Sequence, residues 1–142
     1  MKFSEFDGER WGELQPYLDT CVLPVTGLYG SETPAEATER LERLRDLLEL
    51  IELPFTGRIV TYPALHYAAG SAASAIVEQT IVNMRQSGFR YAVVVTLSGE
   101  LRQPDSQADL WIMPEQDGTM PAAASVSASV QAMWKRQRES GS

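Results

Sequence analysis

The feature that most constrains the fold is the strand predicted at residues 89–97, whose centre is an apolar run without polar alternation. Its centre, Ala92-Val93-Val94-Val95, places aliphatic side chains on both faces of an extended strand. Such a strand must be covered on two sides, as happens in parallel sheets that lie between two layers of helices. The run therefore predicts an α/β domain of three layers.

Strands and amphipathic helices alternate ahead of this run. Two strands are predicted at 21–25 and 57–62, and two helices at 34–53 and 71–87. The longer helix begins at a capping box with proline at its first position, Thr33-Pro34-Ala35-Glu36. Its predicted inward positions are Ala37, Leu41, Leu44, Leu48 and Ile51. Alternating units of this kind predict a mostly parallel sheet, and right-handed crossovers favour the strand order 2-1-3-4.

The segments after the third strand complete the sheet and its covering layer. A fourth strand is predicted at 109–113, followed by a helix that begins at Pro121. Residues 98–108 are polar and contain a proline, so we expect no crossover helix and an antiparallel pairing of the fourth strand with the third. Residues 125–130 also alternate like a strand, which leaves a second interpretation open for the last element.

These patterns together predict one α/β domain over residues 1–138, with helices on both faces of a sheet of about four strands. A short helix capped by Asp7 is expected ahead of the first strand. Residues 139–142 are expected to form a flexible tail.

Composition excludes several classes of function. The 142 residues include one cysteine, Cys21, and one histidine, His66. These counts exclude an internal disulfide, a Cys-based zinc site and a multi-histidine metal site. We therefore predict no metal and no cofactor. The net charge of −7 lies entirely in residues 1–54, which hold 12 acidic and 5 basic side chains, and it disfavours nucleic-acid binding. No stretch reaches the roughly 18–20 apolar residues of a membrane span. The start lacks an apolar signal-peptide region, so a cytoplasmic setting is expected.

Lys135, Arg136 and Arg138 form the one basic cluster of the sequence. We interpret them as cations in the last turn of a helix, where they complement the helix dipole. The alternative is a short patch that docks on anionic lipid or RNA.

A candidate ligand site is predicted where the parallel strands end, because ligand crevices of open α/β sheets form beyond the carboxyl ends of the strands. The candidate contacts are Thr26, Gly27, Tyr29, Gly30, Ser31, Tyr62, His66, Tyr67 and Ser71. Backbone N–H groups in the glycine loop could hold an anion, although the loop has neither GxGxxG nor a P-loop lysine. The alternative is that the glycines only permit the turn, that Ser71 is a helix cap and that His66 is structural.

Three parts of the sequence together resemble one family. They are Tyr17-Leu18-Asp19-Thr20 leading into Val22-Leu23-Pro24-Val25, the long charged helix, and Tyr62-Pro63-Ala64-Leu65-His66-Tyr67. These features resemble the YpiF-like family, small uncharacterised proteins of Gram-positive, spore-forming bacteria. The resemblance covers nearly the whole chain and includes no catalytic signature. It implies a cytosolic setting and an accessory role, and it assigns no site residue.

The function predicted from the sequence is a non-enzymatic binding or accessory module, with another protein or a second copy of the chain as its partner. No catalytic residue is predicted for it. The alternative is a small-molecule or anion-binding enzyme with a crevice around His66. A concave site that joins His66 to a carboxylate or to Arg102 favours the enzyme. A filled sheet edge with an exposed apolar patch favours the module.

Overall fold

The structure is a computed structural model that describes residue 2 and residues 7–67 and 71–140. In chain order, its elements are α1 (Gly8–Leu14), β1 (Thr20–Val25), α2 (Pro34–Glu52), β2 (Ile59–Thr61), α3 (Ser71–Gln86), β3 (Tyr91–Thr96), a 3₁₀ helix (Gly99–Leu101), β4 (Leu110–Ile112) and α4 (Ala123–Ser140). The four strands form one sheet in the order β2-β1-β3-β4. The predicted strand order is therefore confirmed.

The sheet is covered by helices on both faces, as the unalternating β3 sequence requires. Ala92 and Val94 of β3 face a cluster that includes the buried side of α3 and is flanked by α1. Tyr91, Val93 and Val95 face the opposite cluster, to which α2 and α4 contribute. All six residues of β3 are buried. The domain is thus a three-layer α/β fold with a parallel sheet at its centre.

The pairing of the last strand corrects one expectation. β4 lies parallel to β3, with Val93 opposite Leu110, so the predicted antiparallel pairing is wrong. The connection between β3 and β4 crosses the face of the sheet that α3 covers, and it does so without an α-helix. It is held there by the 3₁₀ helix, whose Leu101 is 2% exposed and whose carbonyl accepts a hydrogen bond from the Ser74 hydroxyl at 3.2 Å. A polar connection with one buried leucine is enough to return the chain to the starting end of the sheet.

Helix α2 begins as predicted and buries the predicted inward residues Leu44 and Ile51, but its buried face also includes Leu47 and excludes Leu41. Both halves of the capping box between Thr33 and Glu36 are formed. Leu47 is fully buried, whereas Leu41 is 42% exposed, so the predicted inward position of Leu41 is wrong. Leu41 lies in the first half of the helix, where it lines a groove with Pro63, beyond the end of β2. The first turns of α2 extend past the sheet, and their apolar residues are therefore only partly covered.

The last element is a helix, and the alternative strand at residues 125–130 is wrong. Val126, Val130 and Met133 of α4 are buried against the sheet and α2. None of the helices that the structure describes is long and apolar enough to cross a membrane.

Candidate functional site

The carboxyl ends of β1 and β2 are joined by hydrogen bonds between their loops. The Thr26 N–H donates to the Leu65 carbonyl at 3.0 Å, and the Leu65 N–H donates to the Pro24 carbonyl at 2.9 Å. The Thr26 hydroxyl donates to the same Leu65 carbonyl at 3.1 Å. The parallel strands therefore bring the two predicted loop segments to one edge of the sheet, here called the carboxyl edge.

Arg40 closes the centre of the carboxyl edge. Its Nε–H donates to the Thr26 carbonyl at 2.6 Å, and its Nη2 donates to the Ser98 hydroxyl. Gly27 has φ +70°, and a Cβ placed there would collide with the Ser98 Oγ and lie 2.7 Å from Arg40 Nη2. Glycine is therefore required at this position both by its conformation and by the close approach of two side chains. Neither Arg40 nor Ser98 was among the sequence candidates.

The backbone N–H groups predicted to hold an anion are bonded to carboxylates of this chain. The N–H groups of Tyr29 and Gly30 donate to the two carboxylate oxygens of Glu32, at 2.8 and 2.9 Å. These hydrogen bonds, above all the one from Tyr29, hold the pKa of Glu32 below its ordinary value. The Thr33 N–H donates to Glu36 at 3.0 Å and lowers the pKa of that carboxyl in the same way. The N–H groups of Tyr29, Gly30 and Thr33 are therefore already bonded within the chain.

Three aromatic side chains lie on the outside of the carboxyl edge, and we call them the aromatic patch: Tyr29, His66 and Tyr67. Both tyrosines are 69% exposed, and His66 is exposed as well. The ring centroids of His66 and Tyr67 are 6.1 Å apart, and a Cβ at Gly30 would lie 3.6 Å from Cδ1 of Tyr67. Tyr67 has φ +59°, a conformation that non-glycine residues seldom adopt. The two loops therefore approach each other at Gly30 and Tyr67, and the rings of Tyr29, His66 and Tyr67 are exposed to solvent.

The remaining sequence candidates lie in different surroundings. Tyr62 is half-buried and packs edge-on against Phe89, with ring centroids 5.6 Å apart, and burial raises its pKa. Tyr62 and Thr26 also line the groove of about 330 Å³ between α2 and the loop after β2. Ser31 is exposed. Ser71 is the first residue of α3, and its side chain lies outside the described part of the structure. Thr26 and Tyr62 therefore line a groove whose lining does not include Tyr29, His66 or Tyr67.

Cys21 is buried in the core, as expected. Its side chain is fully inaccessible, and burial raises the pKa of the thiol to about 12. The Sγ–H points at the Tyr91 carbonyl, 3.5 Å away. At neutral pH the thiol is protonated and behaves as a small apolar group.

The opposite edge of the sheet carries a charged cluster that the sequence analysis missed. Asp19, Arg58 and Arg90 directly precede β1, β2 and β3. Arg58 donates through Nε and Nη2 to the two carboxylate oxygens of Asp19, at 2.9 and 3.0 Å. The Arg58 guanidinium carbon lies 3.9 Å from the centre of the Trp134 ring. A charged residue before each parallel strand is the sequence signal that would have indicated this cluster.

A cavity of about 400 Å³ lies beside this cluster, at the amino edge of the sheet. We call it the basic cavity, and its lining residues are Arg58, Arg90, Tyr91, Gln131, Trp134 and Lys135. The indole N–H of Trp134 donates to the Thr20 hydroxyl at 2.9 Å, which holds the aromatic wall against β1. The sequence analysis interpreted Lys135 as a cation that complements the helix dipole. In the structure, Lys135 forms part of the wall of the basic cavity.

The fold and its two edges define the class of this protein, a three-layer α/β domain with a four-stranded parallel sheet. The family model described as "Protein of unknown function (DUF2487)" matches residues 9–125. Because the match covers most of the chain, the protein belongs to this family. The searches of curated proteins and of solved structures returned no match. Among the described residues, no group of three or more His, Cys, Asp or Glu side chains is placed to hold a metal ion.

Proposed function

We propose that this protein is a non-enzymatic binding module that docks a basic segment of a partner protein on its aromatic patch. We further propose that it is a cytoplasmic, accessory member of the YpiF-like proteins of Gram-positive, spore-forming bacteria. The observation that carries the docking proposal is the state of the carboxyl edge. Its inner polar groups are bonded within the chain, while its outer aromatic rings are in solvent.

The bonded interior of the carboxyl edge disfavours the enzyme alternative. An anionic substrate would have to displace Glu32 from the N–H groups of Tyr29 and Gly30. Glu32 lies only two or three residues along the chain from these N–H groups, so its carboxylate competes with a substrate anion at a high effective concentration. Arg40, the nearest cation of this edge, already donates to Thr26 and Ser98. The two N–H groups and the Arg40 guanidinium therefore already have intramolecular partners.

The charge around the aromatic patch indicates the chemistry of the partner. Glu32, Glu36 and Glu39 line one shallow pocket with Arg40 and Arg43 at the start of α2. This end of the molecule belongs to residues 1–54, which contribute the whole net charge of −7. Exposed tyrosine rings beside carboxylates suit arginine, whose guanidinium stacks on aromatic faces and pairs with carboxylates. We therefore expect the partner to present an arginine-bearing, basic segment.

The proposal is tested with an arginine-rich peptide as the probe and a lysine-rich peptide of equal charge as its comparison. Tyr29→Ser combined with Tyr67→Asn removes both rings, and asparagine suits the positive φ of position 67. Tyr17→Ser is the matched control, because Tyr17 is also 69% exposed but lies after α1. We expect the double variant to bind the arginine peptide about tenfold more weakly than the wild type does. The control should bind it like the wild type.

Two results would contradict the proposal. Equal binding by the wild type and the double variant would show that the rings are not part of the recognition surface. Shifts of the Tyr29 and Gly30 amide signals on addition of phosphate alone would show that an anion displaces Glu32, and would favour the enzyme alternative.

A further inference from the structure

The basic cavity stands out against the charge of the whole molecule. The chain has a net charge of −7, yet Arg58, Arg90 and Lys135 line one cavity of about 400 Å³. Asp19 neutralises Arg58 through a bidentate ion pair. Among the described side chains, which exclude those of residues 137–140, no ion pair involves Arg90 or Lys135. Within that part of the structure, two cations remain without an acidic partner.

The walls of the basic cavity are held in place. Tyr91 is 2% exposed, and the guanidinium carbons of Arg58 and Arg90 lie 5.7 and 5.5 Å from the centre of its ring. Arg58 is fixed further by Asp19 and by the face of Trp134. Cations held against aromatic faces lose less conformational entropy when a ligand arrives than freely rotating side chains do. The cavity is thus pre-organised for a negative group.

Asp19 does not fill the cavity. Both of its carboxylate oxygens accept from Arg58, and one also accepts from the Thr20 hydroxyl at 3.0 Å. The carboxylate is therefore bonded to Arg58 and Thr20 and is not part of the cavity lining. The positive charges of Arg90 and Lys135 remain available to a ligand.

We propose that the basic cavity binds a small ligand through an oxyanion group, a phosphate or a carboxylate. A volume of about 400 Å³ lies within the range of small-molecule sites. Arginine donates in a fork that matches both oxyanions, and the Gln131 amide supplies a neutral hydrogen-bonding group at the same wall. This site lies at the edge opposite the aromatic patch, so the inference does not depend on the proposed docking function.

The test uses inorganic phosphate, acetate and a hexaglutamate peptide as probes, at constant ionic strength. Binding is followed by NMR through the indole N–H of Trp134, which bonds Thr20 next to the cavity. Arg90→Gln and Lys135→Gln remove the two unneutralised charges. Arg102→Gln is the matched control, because it removes the same charge from an exposed residue outside the cavity lining. Arg58 is left unchanged, because its loss would leave Asp19 half-buried without its cation.

We expect saturable shifts of the Trp134 signal with phosphate and with acetate, and tighter binding of phosphate because of its higher charge. Each cavity variant should weaken phosphate binding by about two- to fivefold, the range for partly exposed ion pairs, and the control should not. Saturable binding of either anion supports an oxyanion site, and acetate binding at least as tight as phosphate binding, despite the lower charge of acetate, would identify a carboxylate ligand. Two outcomes would overturn the proposal: equal weakening by Arg102→Gln, or binding of hexaglutamate without binding of either small anion.

Discussion

Replacement of Gly27 by alanine tests whether the carboxyl edge is closed from within. Gly27 is buried at the end of β1 with φ +70°. A methyl group at this position would collide with the Ser98 Oγ and lie 2.7 Å from Arg40 Nη2. The substitution therefore adds a steric conflict to a conformational one, and the two contributions can be separated with a control.

The conformational contribution is set by the backbone. A non-glycine residue in the left-handed region costs about 1–2 kcal/mol. Overpacking of a filled site adds about 1–3 kcal/mol. Gly27→Ala should thus lower the free energy of unfolding by about 2–5 kcal/mol. Gly118 also has a positive φ, +87°, but its added Cβ would meet nothing within 4 Å, so Gly118→Ala should lower it by only about 1–2 kcal/mol.

Urea unfolding at equilibrium measures both losses. If the native state alone is affected, the m-value should stay constant while the midpoint falls. A second substitution identifies the source of the conflict. Ser98→Gly removes the hydroxyl nearest to the added methyl group, so the double variant should recover about 1–2 kcal/mol relative to the sum of the single losses.

The reasoning fails if Gly27→Ala and Gly118→Ala are equally destabilising. It also fails if Ser98→Gly and Gly27→Ala are additive. Either result would mean that Ser98 and Arg40 do not close over Gly27, and that the carboxyl edge has room for a ligand.

Two further predictions concern α2 and the loop before it. Leu47→Ala should lower the free energy of unfolding by about 2–5 kcal/mol, because Leu47 is fully buried. Leu41→Ala, at a 42% exposed position of the same helix, should lower it by less than about 1 kcal/mol. Equal losses for the two variants in urea unfolding would mean that the buried face of α2 is a different one. The amide NMR signals of Tyr29 and Gly30 should titrate with a midpoint below the ordinary glutamate pKa of 4.5. Because the pKa of Glu32 is lowered in the fold, the ionised Glu32 carboxylate stabilises the folded state fully above the ordinary pKa of 4.5. This stabilisation is lost as the pH falls through the lowered pKa. Glu32→Gln should abolish the titration of both amide signals.

The architecture of the sheet could be predicted because it depends on local patterns and one general rule. The apolar centre of β3 and the capped, amphipathic α2 indicate their own secondary structure. The right-handed crossover then leaves few strand orders, and 2-1-3-4 is the one observed. The direction of β4 could not be predicted in this way. It depends on how the mainly polar connection packs: Leu101 is buried in a core formed by distant segments, and Ser106 and Gln107 donate hydrogen bonds to Glu78.

The candidate site could be predicted only in part, for a related reason. Parallel strands place their following loops at one edge, so the proximity of Gly30 and Tyr67 follows from topology. Which side chains fill the carboxyl edge depends on the length and conformation of each one. The Nη2 atom of Arg40 donates to Ser98, 58 residues along the chain, and no periodicity in the sequence indicates that contact. Glu32 bonds N–H groups only two and three residues away, and the sequence analysis, which expected an external anion there, did not predict this contact.

The same topology explains why the two edges differ in charge. In a parallel sheet every strand begins at one edge, so residues that directly precede strands converge there, as Arg58 and Arg90 do. The helix after β1 begins at the other edge, and its first turn favours acidic residues such as Glu36, because they complement the dipole and complete the capping box. Helix capping thus places acidic side chains at one edge, while Arg58, Arg90 and Lys135 gather around one cavity at the other. A chain with this separation presents two electrostatically distinct surfaces, which suit an arginine-bearing partner at the aromatic patch and an oxyanion at the basic cavity.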